Sequence, residues 1–162
     1  IVVTDNFTDA QAIGMAAMPA SGSVEDFLVN LSRARGRGLV AMPCSLTGSV
    51  SGVWAPTVQH DVILYSAAST PARKVGIVCH EVAHILLKHD PAVHASISPA
   101  SLAGIAPSVR LDVAASFLAR SDYTTPEEVA AETLGTVFSA RLSRLEAENS
   151  PDAVVRVAAR LR

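Results

Sequence analysis

Two imidazoles and a carboxylate fall within five residues at His80-Glu81-Val82-Ala83-His84. On a helix, residues four apart lie one turn apart on one face, so the rings of His80 and His84 can grip a single metal ion. Measured from His80, His84 falls near about 40° and Glu81 near about 100° around the helix axis. Glu81 therefore stands beside the histidine pair rather than in line with it. That is the place for a general base acting on a water, not for a third ligand.

The surrounding residues predict the helix this chemistry needs. Ser69 and Thr70 read as a cap, Pro71 as a first-turn proline, and Ala72 to His89 contains no breaker except Gly76 before Asp90-Pro91. Val75, Val78, Val82 and Ile85 gather on the side opposite the histidines and form the core face. Gly76 and Ala83 flank the histidine face with almost no bulk and leave room for a second helix or a ligand. Continued at the same pitch, the helix carries His89 to the apolar side, where it reads as a structural residue.

A catalytic zinc site takes three protein ligands and keeps a fourth position open. The third ligand is not in the stretch that follows His84, Ile85-Leu86-Leu87-Lys88-His89-Asp90, which lacks the short extension ending in a third histidine. His94 lies in a loop bounded by Pro91 and Pro99, whereas Glu127, Glu128 and Glu132 open a second helix running to about Leu145. Glu128 and Glu132 share a face bordering the apolar stripe Ala131, Leu134, Phe138, Leu142 and Leu145. We assign Glu128 as the ligand and Glu132 as the acid that receives the free N–H of a ligating histidine. Glu127, next to Pro126, serves the positive end of the helix.

The two segments together, His80 to His84 and Glu128-Val129-Ala130-Ala131-Glu132-Thr133-Leu134-Gly135, resemble the ImmA/IrrE family of bacterial and phage metallopeptidases. The resemblance runs from Gly52-Val53-Trp54 through Asp61-Val62-Ile63-Leu64-Tyr65 to Arg120-Ser121-Asp122-Tyr123, and the chain departs from many relatives in the length of the segment between His84 and Glu128, which holds Ile97 to Leu118. It implies zinc, or another divalent ion, on His80, His84 and Glu128, with Glu81 as general base and Tyr123 as a helper at the oxyanion. It further implies a zincin-like α+β domain in which a small, mostly antiparallel sheet packs on the His80–His84 helix and further helices. The implied substrate is a DNA-binding repressor of the helix-turn-helix type, cut in a stress or mobile-element response. The alternative function is a metal-containing regulatory module that binds and displaces such a partner without cutting it; the intact Glu81 favours the enzyme.

The rest of the chain is read as one domain over residues 1–162, with 1–23 as a loosely structured N-terminal arm. A helix from Val24 to Arg35 is entered at Ser23 and followed by a strand at Leu39–Met42. Ser51–Ala55 and Asp61–Tyr65 form an antiparallel hairpin whose edge can cradle an extended peptide. Ile97 to Leu118 reads as a loop and short helix covering the cleft, and Pro151 to Arg162 as a last helix packed on the body.

Aromatics make up 4% of the residues and hydrophobics 49%, so the core is built from Ala, Val and Leu. A net charge of −2 offers no electrostatic footprint for nucleic acid, and the run Arg33-Ala34-Arg35-Gly36-Arg37 reads as a solvated helix end. Cys44 and Cys79 are too few for a disulfide scaffold and are expected as free thiols. With no apolar run long enough to span a bilayer and no charged leader, the expectation is a cytoplasmic chain.

Overall fold

The structure is a computed structural model describing residues 2–46, 51–90 and 125–150. Among these are four helices, α1 (Val2–Ala16), α2 (Val24–Arg35), α3 (Pro71–Leu87) and α4 (Pro126–Glu148), and three strands, β1 (Gly38–Cys44), β2 (Gly52–Pro56) and β3 (His60–Ser66). The class is α+β, as expected. The covering segment at 97–118 and the last helix at 151–162 lie outside the described residues.

The helix starts follow from local capping. Ser23, Thr70 and Thr125 each hold an extended backbone and accept the backbone N–H three residues on, from Asp26, Arg73 and Glu128. Pro71 and Pro126 occupy first-turn positions where a missing N–H costs nothing. Gly36 closes α2 in the left-handed conformation (φ 63°), directing the chain into β1.

The sheet has the order β1-β3-β2 and is mixed, which corrects the mostly antiparallel expectation. β2 pairs antiparallel with β3, Trp54 opposite Ile63, as the hairpin reading required. β1 pairs parallel with β3, Val40 opposite Val62. The reason is direction: β2 runs back from β1, so β1 and β3 point the same way, and β3 sits between them while β2 takes the outer edge. The central strand is buried at Asp61, Val62, Ile63 and Leu64, the continuous run expected of a strand covered on both faces.

The stretch read as a loose arm is instead helix α1. Its mixed polarity conceals a stripe of small residues, Ala10 and Gly14, continued by Ala17 just past its end. Ala10 and Ala17 are buried, and a Cβ on Gly14 would lie 2.2 Å from Phe138 Cζ, so α1 seats directly against α4. At its start, Asn6 Nδ2 donates to the Leu87 carbonyl at 2.7 Å and satisfies one of the free carbonyls at the end of α3. Phe138 also meets Phe27 of α2 edge-on, with ring centroids 5.7 Å apart.

In the arginine run that closes α2, Arg33 is exposed, but Arg35 and Arg37 are not simply solvated. Asp61, 2% exposed, receives Arg35 Nη2 at 2.6 Å, Arg37 Nε at 3.1 Å and the Trp54 indole N–H at 3.2 Å. A buried carboxylate needs such partners, and three segments of chain converge to supply them. Arg37 Nη2 also donates to the carbonyls of Thr57 and His60, closing the β2–β3 turn.

Candidate functional site

α3 and α4 cross where Gly135 lies on His80. A Cβ at Gly135 would stand 2.8 Å from His80 Cα and 3.0 Å from its N, so only glycine permits this approach. Ala131, one turn earlier, is fully buried. Small residues on the α4 face thus bring Glu128 and Glu132, on the same side of that helix, over the histidines of α3.

The donor atoms converge. His80 Nε2 and His84 Nε2 are 3.0 Å apart; Glu128 Oε2 is 3.5 Å from the first and Glu128 Oε1 3.4 Å from the second. Ligands about 2.0–2.1 Å from a tetrahedral zinc stand about 3.3 Å from one another; here one donor atom from each of the three residues lies within 4.8 Å of the others, a somewhat wider set. Two neutral imidazoles and one carboxylate are also a donor set that suits zinc. His80, His84 and Glu128 could therefore hold a metal ion. His84 is 2% exposed and the Glu128 carboxyl 16%, so the donors are largely screened from bulk water.

Glu132 lies on the far side of His80. Its Oε2 is 3.2 Å from His80 Nδ1, close enough for a hydrogen bond but out of line with the ring N–H, so this shielded nitrogen has no aligned partner among the described residues. The Glu132 side chain is 75% exposed. Glu127 is exposed in the first turn of α4.

Glu81 sits at the junction of α3 and β2. A Cβ on Gly52 would lie 3.1 Å from Glu81 Oε1. Burial raises the Glu81 pKa, helped by the Glu128 charge and opposed by His80, His84 and the Trp54 N–H. Burial alone would lower His80; the hydrogen bond to Glu128 and the charges of Glu81, Glu128 and Glu132 outweigh it and leave the pKa raised.

Glu81, His80 and Glu132 face a cleft of about 300 Å³ between α3, α4 and the start of β2. Gly76, with no atom within 4 Å of where its Cβ would be, forms the open floor of this cleft. Ala83, expected to leave similar room, is fully buried in the core.

His89 departs from its expected position. The helix stops at Leu87, Lys88 turns left-handed (φ 58°), and the His89 N–H reaches back to the His84 carbonyl at 3.1 Å. The His89 ring thereby meets that of His84, Nδ1 to Nδ1, at 2.9 Å. Extrapolating the helical pitch missed this contact, since Lys88 gives no local sign of a helix end. Cys44 and Cys79 are buried free thiols, and burial pushes Cys79 up to about 12. Tyr123 and His94 lie outside the described residues. The chain matches no family model, no curated protein and no solved structure.

Proposed function

We propose that this chain is a zinc-dependent endopeptidase of the ImmA/IrrE type, with a zincin-like arrangement of helix, sheet edge and metal. One observation carries the reading: a buried carboxylate, Glu81, stands beside a group of His80, His84 and Glu128 donors that could hold a metal ion, and Glu81 and His80 line an open cleft.

His80, His84 and Glu128 would hold the ion, which when bound supplies Lewis acidity toward the scissile carbonyl and toward water. Glu81 takes a proton from the attacking water as oxygen bonds to the carbonyl carbon. It then delivers that proton to the amine nitrogen as the C–N bond breaks. Burial suits Glu81 to both halves of the cycle, because a raised pKa makes the carboxylate a better acceptor near neutrality. The outer edge of β2, unpaired among the described residues, can accept an extended peptide as an added strand, with Gly76 leaving the floor clear.

The proposed substrate is a helix-turn-helix repressor. A net charge of −2 gives no electrostatic footprint for nucleic acid, and Arg35 and Arg37 are engaged on Asp61, so the role in gene control is proposed to run through a DNA-binding partner. Co-expression with a helix-turn-helix repressor encoded beside this chain, comparing wild type and Glu81→Gln, tests the proposal by mass spectrometry. A regulator fragment produced by wild type alone is expected. Equal derepression by both forms with no fragment would leave a non-cutting displacement module as the better account.

A further inference from the structure

We propose that His89 is a positioning residue for the metal ligand His84, fixing its tautomer and ring orientation through a direct imidazole–imidazole hydrogen bond. The inference rests on the metal-centre reading above and extends it to a residue outside both motif segments.

The argument starts from the lone pair. For His84 to bind an ion through Nε2, the atom 3.0 Å from His80 Nε2, that nitrogen must carry no proton. The proton of a neutral His84 then resides on Nδ1. His84 Nδ1 faces His89 Nδ1 at 2.9 Å, so the His84 N–H donates and the His89 nitrogen accepts. His89 in turn carries its own proton on Nε2. One short contact thus specifies the tautomer of both rings.

The backbone is shaped to make this contact. On a continuing helix His89 would lie well around the axis from His84, facing the core. The left-handed Lys88 (φ 58°, ψ 38°) ends the helix instead, its N–H bonding to the carbonyls of His84 and Ile85, and the following N–H of His89 returns to the His84 carbonyl. A left-handed lysine is strained relative to glycine, which marks the turn as held by its surroundings. The rings stand at 68° with centroids 5.0 Å apart, an edge geometry that fits an in-plane N–H meeting a ring lone pair. Since His84 is 2% exposed, little water reaches its ring to replace the acceptor.

Competition titration of zinc against a chelator reads the effect. His89→Ala is expected to weaken zinc binding about 10- to 100-fold, as loss of an outer partner of a ligating histidine typically does. His89→Gln, whose side-chain oxygen can accept the same N–H, should recover most of the loss. Lys88→Gly, which relaxes the turn without moving His89, should bind like wild type. Nitrogen-15 spectra of the zinc-loaded wild type should show His84 protonated at Nδ1 and His89 at Nε2, a readout that holds even if His89→Ala folds poorly. Zinc affinity within twofold of wild type in His89→Ala, or a proton on His89 Nδ1, overturns this inference while leaving the metal centre standing. A wild-type chain that takes up no zinc overturns both.

Discussion

At the residue scale the buried Glu81 carries two separable burdens. With Gln in its place the side chain keeps its shape and its position against β2 but cannot take a proton, so Glu81→Gln should retain zinc and lose hydrolysis. In the metal-free protein the same change shows the cost of burial. Because the folded-state pKa of Glu81 is raised, the folded chain holds a proton that the unfolded chain releases, and stability falls as pH rises from the ordinary carboxyl value of 4.5 through the raised one. Thermal unfolding in chelator should therefore find Glu81→Gln more stable than wild type at pH 8, with the gap closing toward pH 4.5. A gap that widens on acidification would contradict the assignment. For the two acids of α4, Glu128→Ala should reduce zinc affinity far more than Glu132→Ala, whose loss belongs near the lower end of about 10- to 100-fold because that side chain is largely exposed. The reverse order in a zinc titration would move the ligand by one turn. That His80 shares a face with His84, and Glu128 with Glu132, was legible because each pairing depends on spacing within one helix. His89 was not, because its contact depends on a left-handed lysine where glycine or asparagine would have announced the turn.

At the scale of elements, the decisive fit is Gly135 on the backbone of His80. Gly135→Ala would place a Cβ 2.8 Å from His80 Cα, and no flexible side chain is available there to move aside. The helices must part, at an overpacking cost of about 1–3 kcal/mol. Because Glu128 rides on α4 and the histidines on α3, the same separation should weaken zinc binding. Denaturant midpoints and zinc titration should move together; lost stability with unchanged zinc affinity would mean that α4 pivots about its first turn. Capping residues and apolar stripes made α2, α3 and α4 readable to within a few residues at each end. α1 was concealed because it packs through Ala10, Gly14 and Ala17 rather than through large apolar residues. The parallel β1–β3 pair was concealed because alternation shows which residues face inward but not which way a neighbouring strand runs.

At the scale of the whole molecule, two polar centres tie distant segments together, and they should respond differently to perturbation. Asp61 joins the end of α2 to β2 and β3 through Arg35, Arg37 and Trp54, a convergence that local periodicity could not disclose. Asp61→Asn leaves two partly exposed guanidinium groups without their carboxylate, so the cost should fall toward the lower end of about 3–5 kcal/mol for a broken buried pair. The proposed metal centre joins α3 to α4, and an ion that binds only the folded chain stabilises it by mass action. Zinc at 100 times its dissociation constant should add about 2.7 kcal/mol. For a chain of this length, that corresponds to a rise of about 5–10 °C in Tm. Asp61 touches none of the three donors, so Asp61→Asn should lower the baseline Tm yet keep the zinc increment, whereas His84→Ala should abolish the increment. Calorimetry with and without zinc on wild type and both variants separates the two centres. An increment that survives in His84→Ala would put the ion elsewhere on the chain and remove the geometric basis of the peptidase reading.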